Sequence, residues 1–316
     1  MPVQMILCSH SPLMLVGMEE SQGDAQARFV DSMAEVAQEL REFRPDLILS
    51  FGPDHFNGFF YDLMPQFCIG TAAEATRDWG AEGGALEVPR SLADGCVRHL
   101  HRQGFDVAIS HAMKVDHGCT ISLRQVAGSL DRYPVLPVFV NCAADPRPSM
   151  ARVRALGVQI GRFLAAHNLR VTVLGSGGLS HDPPTPRLAQ ASPNMARRLI
   201  QRAVPSQEEL QRREARVVNA ARELVLGQGP CLPPDPDWDR EFLRKIVAFD
   251  TEALDAIDDA EIDSRAGFGG HEVRTWVAAS AAARVLAGNA YLQASTRYYE
   301  PIPEWLTGMG VVTAQA

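Results

Sequence analysis

The chain has 316 residues, of which 46% are hydrophobic, and its formal net charge is −8 at pH 7. This length and composition predict a globular protein that buries a sizeable core, either as one large α/β domain or as two small ones. The negative charge argues against a nucleic acid or an anionic membrane as partner, because no net positive field is available to attract phosphate.

The cysteines and the first strand indicate a cytoplasmic protein. The six cysteines form no CxxC pair and no spacing typical of a zinc site, so we expect reduced thiols. No basic residue precedes Arg28, and the polar turn Ser9–Pro12 interrupts the first apolar run. These features favour a buried first strand over a signal peptide, and no segment reaches membrane-spanning length without polar interruption.

Apolar runs alternate with amphipathic helical patterns in the first 186 residues. Strands are predicted at residues 3–8, 46–51, 105–110, 135–140 and 171–174, and helices at residues 25–43, 86–103 and 150–168. This alternation is typical of βαβ units. It predicts an α/β fold with a mostly parallel central sheet flanked by helices.

Beyond Pro186 the pattern becomes helical. Helices are predicted at residues 207–227, 239–248, 251–258 and 271–286, followed by a tail at 291–305 that is rich in proline and aromatic residues. No internal repeat or long linker separates this part from the rest. We therefore predict a single catalytic domain over residues 1–316, with a βαβ core at 1–186 and a mainly helical elaboration at 187–316.

A histidine follows the end of four predicted strands. These residues are His10, His55, His181 and, less tightly, His117. Because parallel strands end at the same edge of a sheet, the four imidazoles are expected in one crevice. One such histidine is more often a structural residue, but the shared placement of four favours a functional site.

Glu272 is the most interesting carboxylate, although the pattern alone favours an exposed residue that a helix dipole stabilises. It follows Gly267-Phe-Gly-Gly270 and begins a predicted helix, where the helix dipole favours a negative side chain even without a function. If Glu272 instead joins His10 and His55 on a metal ion, the three form a two-histidine, one-carboxylate triad, which suits non-haem Fe(II). Imidazole and carboxylate ligands also suit zinc.

Three aspartates are neighbours of these histidines in sequence. Asp54, Asp116 and Asp182 can each orient an imidazole, although adjacent side chains usually point in different directions. Nucleotide and serine hydrolase motifs are incomplete. The stretch Leu174–Ser180 lacks both the first glycine of a GxSxG elbow and a complete GxGxxG, and no Walker lysine is present.

Several stretches together resemble the class III extradiol ring-cleavage dioxygenases over nearly the whole chain. They are Ser9-His-Ser-Pro12, Pro53-Asp-His-Phe-Asn-Gly-Phe-Phe-Tyr-Asp62, Val115-Asp-His-Gly118, Pro134-Val-Leu-Pro-Val-Phe139, Leu174-Gly-Ser-Gly-Gly-Leu-Ser-His181, His271-Glu272 with Thr275-Trp276, and Arg297-Tyr-Tyr-Glu-Pro-Ile-Pro-Glu-Trp305. The resemblance implies the fold of that family and the ring cleavage of a catechol by O2.

The resemblance also implies roles for the candidate residues. His10, His55 and Glu272 would hold Fe(II), while His117 would be the proton donor and His181 the proton acceptor. The implied substrate is a catechol with a short carboxylated side chain, such as 2,3-dihydroxyphenylpropionate, and the protein is expected to form a homo-oligomer.

Three alternatives stay open at this point. Cys119–Ser122 are more polar than the family pattern, and Asp182 stands where an uncharged amide is expected, so catechol or an alkylcatechol is an alternative substrate. The same residues around zinc would suit a hydrolase. A non-catalytic binding protein on the same fold is the third alternative.

Overall fold

The structure is a computed structural model, and it describes residues 2–16, 24–202 and 206–316. The strands are β1 (Val3–Cys8), β2 (Leu47–Gly52), β3 (Phe67–Gly70), β4 (Ala73–Ala75), β5 (Gly84–Ala85), β6 (Ala108–Ser110), β7 (Met113–Val115), β8 (Val135–Val140), β9 (Val171–Ser176), β10 (Gln293–Ile302) and β11 (Thr307–Gln315). The helices are α1 (Asp24–Phe43), α2 (Arg90–Arg102), α3 (His117–Ala127), α4 (Met150–Ala165), α5 (Pro193–Ile200), α6 (Gln207–Val225), α7 (Pro236–Val247), α8 (Thr251–Asp255), α9 (Asp259–Glu261) and α10 (Val273–Ala287).

A central sheet of eight strands organises the fold, in the order β10-β11-β1-β9-β2-β8-β3-β6. The four middle strands β1, β9, β2 and β8 are parallel. Strands β11 and β10 extend one edge in antiparallel pairing, and β3 pairs antiparallel with β8 on the other side. The predicted α/β fold with a mostly parallel central sheet is confirmed.

The middle strands are apolar along their whole length because both faces of the sheet are covered. Every residue of β1, β2, β8 and β9 is buried. Alternate side chains pack on α2, α4, α7 and α10 on one face, and on α1 and α3 on the other. The parallel strands therefore end together at one edge, where the loops that follow them meet.

Two of the differences from the predicted elements bear on the site. The C-terminal tail forms β10 and β11, which join the main sheet beside β1, so the C-terminal part contributes strands as well as helices. Residues 111–118 belong to no predicted strand or helix, but in the structure they include β7 and the start of α3. Strand β7 belongs to a second, three-stranded sheet with β4 and β5, so His117 does not follow a strand of the main sheet.

None of the helices in the described part of the chain is long and apolar enough to cross a membrane. Helix α10 is instead buried in the middle of the protein, against α4 and the sheet. Its close contact with α4 depends on Gly157, because a Cβ atom there would lie 2.9 Å from the carbonyl carbon of Ala278.

We expect Gly157→Ala to lower the free energy of unfolding by about 1–3 kcal/mol. The added methyl group overlaps the backbone of α10, and this overlap outweighs the roughly 1 kcal/mol that alanine contributes to helix propensity. Denaturant unfolding measures the difference. Gly95→Ala in α2 is the matched control, since its Cβ would face only the Phe163 ring, at 3.2 Å. Equal stability of the two variants would contradict this packing argument.

Candidate active site

His10 lies in the turn that follows β1, and this turn is hydrogen-bonded to β11. The Ser9 hydroxyl donates to the carbonyl of Gly308 at 3.2 Å and accepts from the backbone N–H of Gly310 at 2.9 Å. The His10 Nδ1 lies 3.1 Å from the hydroxyl oxygen of Ser176 at the end of β9. Burial lowers the pKa of His10 to about 3, although the neighbouring Glu272 opposes this shift.

The hydrogen bonds around Ser176 decide which nitrogen of His10 carries its proton. The Ser176 hydroxyl donates to the carbonyl of Gly118, so it accepts from Nδ1 of His10. The Nε2 lone pair of His10 then faces the crevice, which is the form that binds a metal ion.

His55 follows β2 and is oriented by Asp116. The Asp116 Oδ2 lies 3.0 Å from the His55 Nδ1 and accepts from the His55 backbone N–H at 2.8 Å. The other carboxylate oxygen caps the start of α3 by accepting from the N–H of Gly118 at 2.9 Å. Of the three neighbouring aspartates, Asp116 is therefore the one that orients an imidazole.

The other two aspartates shape loops. Asp54 accepts from the backbone N–H groups of residues 57, 58 and 59 and stabilises the turn after His55. Burial and the nearby Asp116 raise the pKa of Asp54 to about 7. Asp182 accepts from the N–H of Phe268 at 3.0 Å, which ties the glycine-rich loop before Glu272 to the loop of His181.

The imidazoles of His10, His55 and His181 surround the carboxylate of Glu272. Its Oε1 lies 2.9 Å from Nε2 of His55, and its Oε2 lies 3.6 Å from Nε2 of His10. The backbone N–H of Gly178 donates to Oε2 at 2.8 Å. Burial favours the neutral acid, but the imidazoles of His10, His181 and His55 outweigh it and hold the pKa of Glu272 well below its ordinary value.

The neighbouring His271 does not face the crevice. Its Nε2 is 3.1 Å from Asp263, and its Nδ1 is 2.7 Å from the Arg274 guanidinium. Of the two adjacent residues, Glu272 is the one beside His10 and His55.

The donor set around Glu272 fits a metal ion. Two ligand atoms that each lie about 2.1 Å from a metal ion, at right angles to each other, are about 3 Å apart. The separations from His55 Nε2 to Glu272 Oε1 and from His10 Nε2 to Glu272 Oε2 are similar, at 2.9 and 3.6 Å. Burial lowers the pKa of His55, but Asp116 and Glu272 outweigh it and raise that pKa well above its ordinary value. A cation between His55 and Glu272 would replace the proton they share.

His117 is the first residue of α3, and its ring stacks on that of His55 with centroids 4.2 Å apart. Its Nδ1 pairs closely with Oδ2 of Asp78, which lies in the turn after β4. The Thr76 hydroxyl donates to the other Asp78 oxygen at 2.7 Å. Nothing in the sequence singled out Asp78, because it lies 39 residues from His117 and outside any motif.

His181 lies five residues beyond the end of β9, and its ring approaches the same Glu272 oxygen as the ring of His55. Its Nδ1 donates to the carbonyl of Leu179 at 2.8 Å, and its Nε2 is 3.5 Å from Oε1 of Glu272. Burial lowers the pKa of His181, but Glu272 and the Leu179 carbonyl outweigh it and raise that pKa. When this ring is neutral, its proton lies on Nδ1 and the lone pair of its Nε2 faces the crevice.

The structure thus brings all five candidate residues together. It also places ring nitrogens of His10, His55 and His117 within 4.8 Å of one another, so a set of three histidines is an alternative ligand group. His111 lies elsewhere, with its Nδ1 2.6 Å from the Thr71 hydroxyl. The role of each residue stays a prediction.

An open cavity of about 1280 Å³, a volume that includes open solvent at its mouth, lies in front of these residues. The four imidazoles and Glu272 line its base. Aromatic side chains line its walls, among them Phe56, Phe60, Trp79 and Trp305, and helices α5 and α6 contribute apolar and arginine side chains. The cavity suits a flat aromatic ligand with a polar substituent.

The family model for the catalytic LigB subunit of aromatic ring-opening dioxygenases matches residues 4–310. Three similar proteins, each named 2,3-dihydroxyphenylpropionate/2,3-dihydroxicinnamic acid 1,2-dioxygenase, come from Photorhabdus laumondii, Paraburkholderia xenovorans and Mycolicibacterium vanbaalenii. The first is 42% identical and covers 100% of this chain and 98% of the relative. The second is 44% identical with the same coverage. The third is 45% identical and covers 98% of both chains.

These matches confirm the resemblance inferred from the motifs, and they decide against the hydrolase and the non-catalytic alternatives. The chain belongs to the LigB family of aromatic ring-opening dioxygenases and is an extradiol ring-cleaving enzyme.

Proposed function

We propose that this enzyme uses Fe(II), held by His10, His55 and Glu272, to cleave 2,3-dihydroxyphenylpropionate with O2 adjacent to its two hydroxyl groups. The product would be a ring-opened semialdehyde or keto-dienoate. The observation that carries the proposal is the convergence of one charged carboxylate with Nε2 of His10 and His55, and also with Nε2 of His181, beside an open cavity. The names of relatives that are 42–45% identical support the choice of substrate.

Two arguments favour Glu272 over His117 as the third ligand. The Glu272 oxygens lie 2.9 and 3.6 Å from the Nε2 atoms of His55 and His10, so the carboxylate already faces both. A carboxylate with two imidazoles is also the facial triad typical of non-haem iron, which leaves positions for two substrates. When bound, Fe(II) would supply a redox-active Lewis acid for the reaction of the catechol with O2.

The remaining two histidines are placed to move protons. The Leu179 carbonyl fixes the proton of neutral His181 on Nδ1, so Nε2 can accept a proton from a catechol hydroxyl. Asp78 lies against Nδ1 of His117 and stabilises the positive charge of that ring, so its Nε2 can donate a proton on the opposite side. We propose these roles as acceptor and donor.

The cytoplasmic location and the homo-oligomeric state stay predictions. All six cysteines are free thiols, and five of them are buried, which is compatible with a reducing compartment.

The ligand set is tested by iron binding. We expect His10→Ala and Glu272→Ala to weaken Fe(II) binding by more than about 100-fold, because each removes a direct ligand. His117→Ala should keep full iron. Iron content and Fe(II) titration after anaerobic loading give the result, with His111→Ala as a control outside the cavity. Full iron in Glu272→Ala together with loss in His117→Ala would establish the three-histidine set instead.

Acid–base catalysis is tested by turnover of the iron-loaded variants. We expect His117→Gln and His181→Gln to retain iron and to lose about 10²–10⁴-fold in kcat, since each loses a positioned proton donor or acceptor. Oxygen uptake and the yellow ring-opened product are the measurements. Unchanged turnover in both variants would reject the assignment. Absence of uptake with any catechol, despite bound iron in the unaltered enzyme, would reject the proposed function.

The role of Asp78 as a positioning residue for His117 gives a separate prediction. Asp78→Asn should lower kcat by about 10–100-fold with little change in KM or iron content, because the imidazolium loses its carboxylate. In a His117→Gln background the same change should have almost no further effect, since the two residues act as a unit. A full additional loss in the double variant would show that Asp78 acts through folding alone.

A further inference from the structure

We propose that Arg213 of α6, with Arg198 and Arg216 beside it, binds the carboxylate at the end of the substrate's side chain. This inference rests on the proposed function and deepens it, because it assigns a residue to the part of the substrate that distinguishes it from plain catechol.

The first step of the argument is the position of Arg213. Leu210, Arg213, Glu214 and Val217 have the spacing of one helix face, and all four line the cavity. The Arg213 Nη2 donates to the carbonyl oxygen of His55 at 3.2 Å. The guanidinium therefore lies on the cavity wall next to the loop that carries one of the proposed iron ligands.

The second step is the charge around this wall. Arg213 is partly buried and forms no ion pair with any carboxylate in the described part of the chain. Burial, then Arg198 and more weakly Arg216, lower the pKa of Arg213, whereas Asp116 and Asp78 oppose this shift without pairing with the guanidinium. Three guanidinium groups thus share one wall in a protein whose net charge is −8.

Asp116 and Asp78, the two carboxylates that act on Arg213 from a distance, already face Nδ1 of His55 and of His117.

The two glutamates near this wall also have other partners. Glu214 is turned towards the turn after β4, where its Oε1 accepts from the backbone N–H of Trp79 at 3.0 Å. Glu209 forms an ion pair with Arg198 at 3.6 Å, and its Oε2 accepts from the backbone N–H of Ser206. A partly buried cation without a carboxylate is costly, and an incoming anion relieves that cost.

The third step is the match to the ligand. A guanidinium binds a carboxylate through two parallel hydrogen bonds, and the apolar Leu210 and Val217 on the same helix face suit the methylene groups between ring and carboxylate. A catechol held at the base of the cavity by its two hydroxyl groups would direct a substituent on the adjacent ring carbon away from the metal ligands and towards the wall.

The experiment compares two substrates of similar shape on the iron-loaded enzyme. These are 2,3-dihydroxyphenylpropionate and 3-propylcatechol, which lacks the carboxylate. In Arg213→Gln we expect KM for the carboxylated substrate to rise about 10–100-fold, while KM for 3-propylcatechol changes less than about 3-fold. Arg198→Gln and Arg216→Gln should show smaller changes in the same direction. Oxygen uptake provides kcat and KM.

Arg212→Gln is the matched control. Arg212 is exposed, does not line the cavity and pairs with Glu208 on the outer surface of α6, so both substrates should keep their KM values. An equal effect of Arg213→Gln on the two substrates would show that Arg213 only supports the His55 loop, and it would overturn the inference. No effect on either substrate would also overturn it.

A binding measurement separates this inference from the proposed function. Calorimetry with 3-phenylpropionate, which has the carboxylate and no diol, measures carboxylate binding by Arg213 without turnover. If the unaltered enzyme binds 3-phenylpropionate at least 10-fold more tightly than Arg213→Gln does but cleaves no catechol, the role of Arg213 in carboxylate binding is supported and the proposed function fails. If catechols are cleaved and Arg213→Gln binds 3-phenylpropionate as tightly as the unaltered enzyme, only the role of Arg213 is rejected and the proposed function stands.

Discussion

The buried negative charge of Glu272 is the constraint on which the site depends. A carboxylate removed from water must be compensated by hydrogen bonds or cations, and Glu272 finds the Gly178 N–H and the imidazoles of His10 and His55. These partners come from the ends of three adjacent parallel strands, β1, β2 and β9. The start of α10 therefore has to lie against the edge of the sheet.

Small residues make that close approach possible. A Cβ atom at Gly177, just past β9, would lie 2.7 Å from the Glu272 carbonyl oxygen and 2.9 Å from its Cβ. The Thr275 hydroxyl donates to the carbonyl of Ser176 at 2.8 Å, which fixes the same two segments together. Gly177 thus allows the start of a helix to contact a strand end.

Periodicity predicted the middle of the sheet well, because strands buried on both faces are short, apolar runs. The strands at Val3–Cys8 and Val135–Val140 match the predictions residue for residue. Strand β10 was missed because its register shifts between Thr296 and Tyr298, which breaks the alternation of a surface strand. Asp78 and Arg213 had no local signal, since only the folded chain brings a turn and a distant helix to the histidines.

His55 and His117 are both imidazoles with a carboxylate at Nδ1, yet we propose different roles for them. Their stacked rings each have a carboxylate against Nδ1, Asp116 for His55 and Asp78 for His117, so both are oriented in the same way. What differs is the group that faces Nε2. For His55 it is Glu272, at 2.9 Å, which makes the pair suitable for a shared cation. For His117 it is the cavity, where a proton can pass to a ligand. Under the proposed function, the difference between ligand and acid follows from the position of a single glutamate.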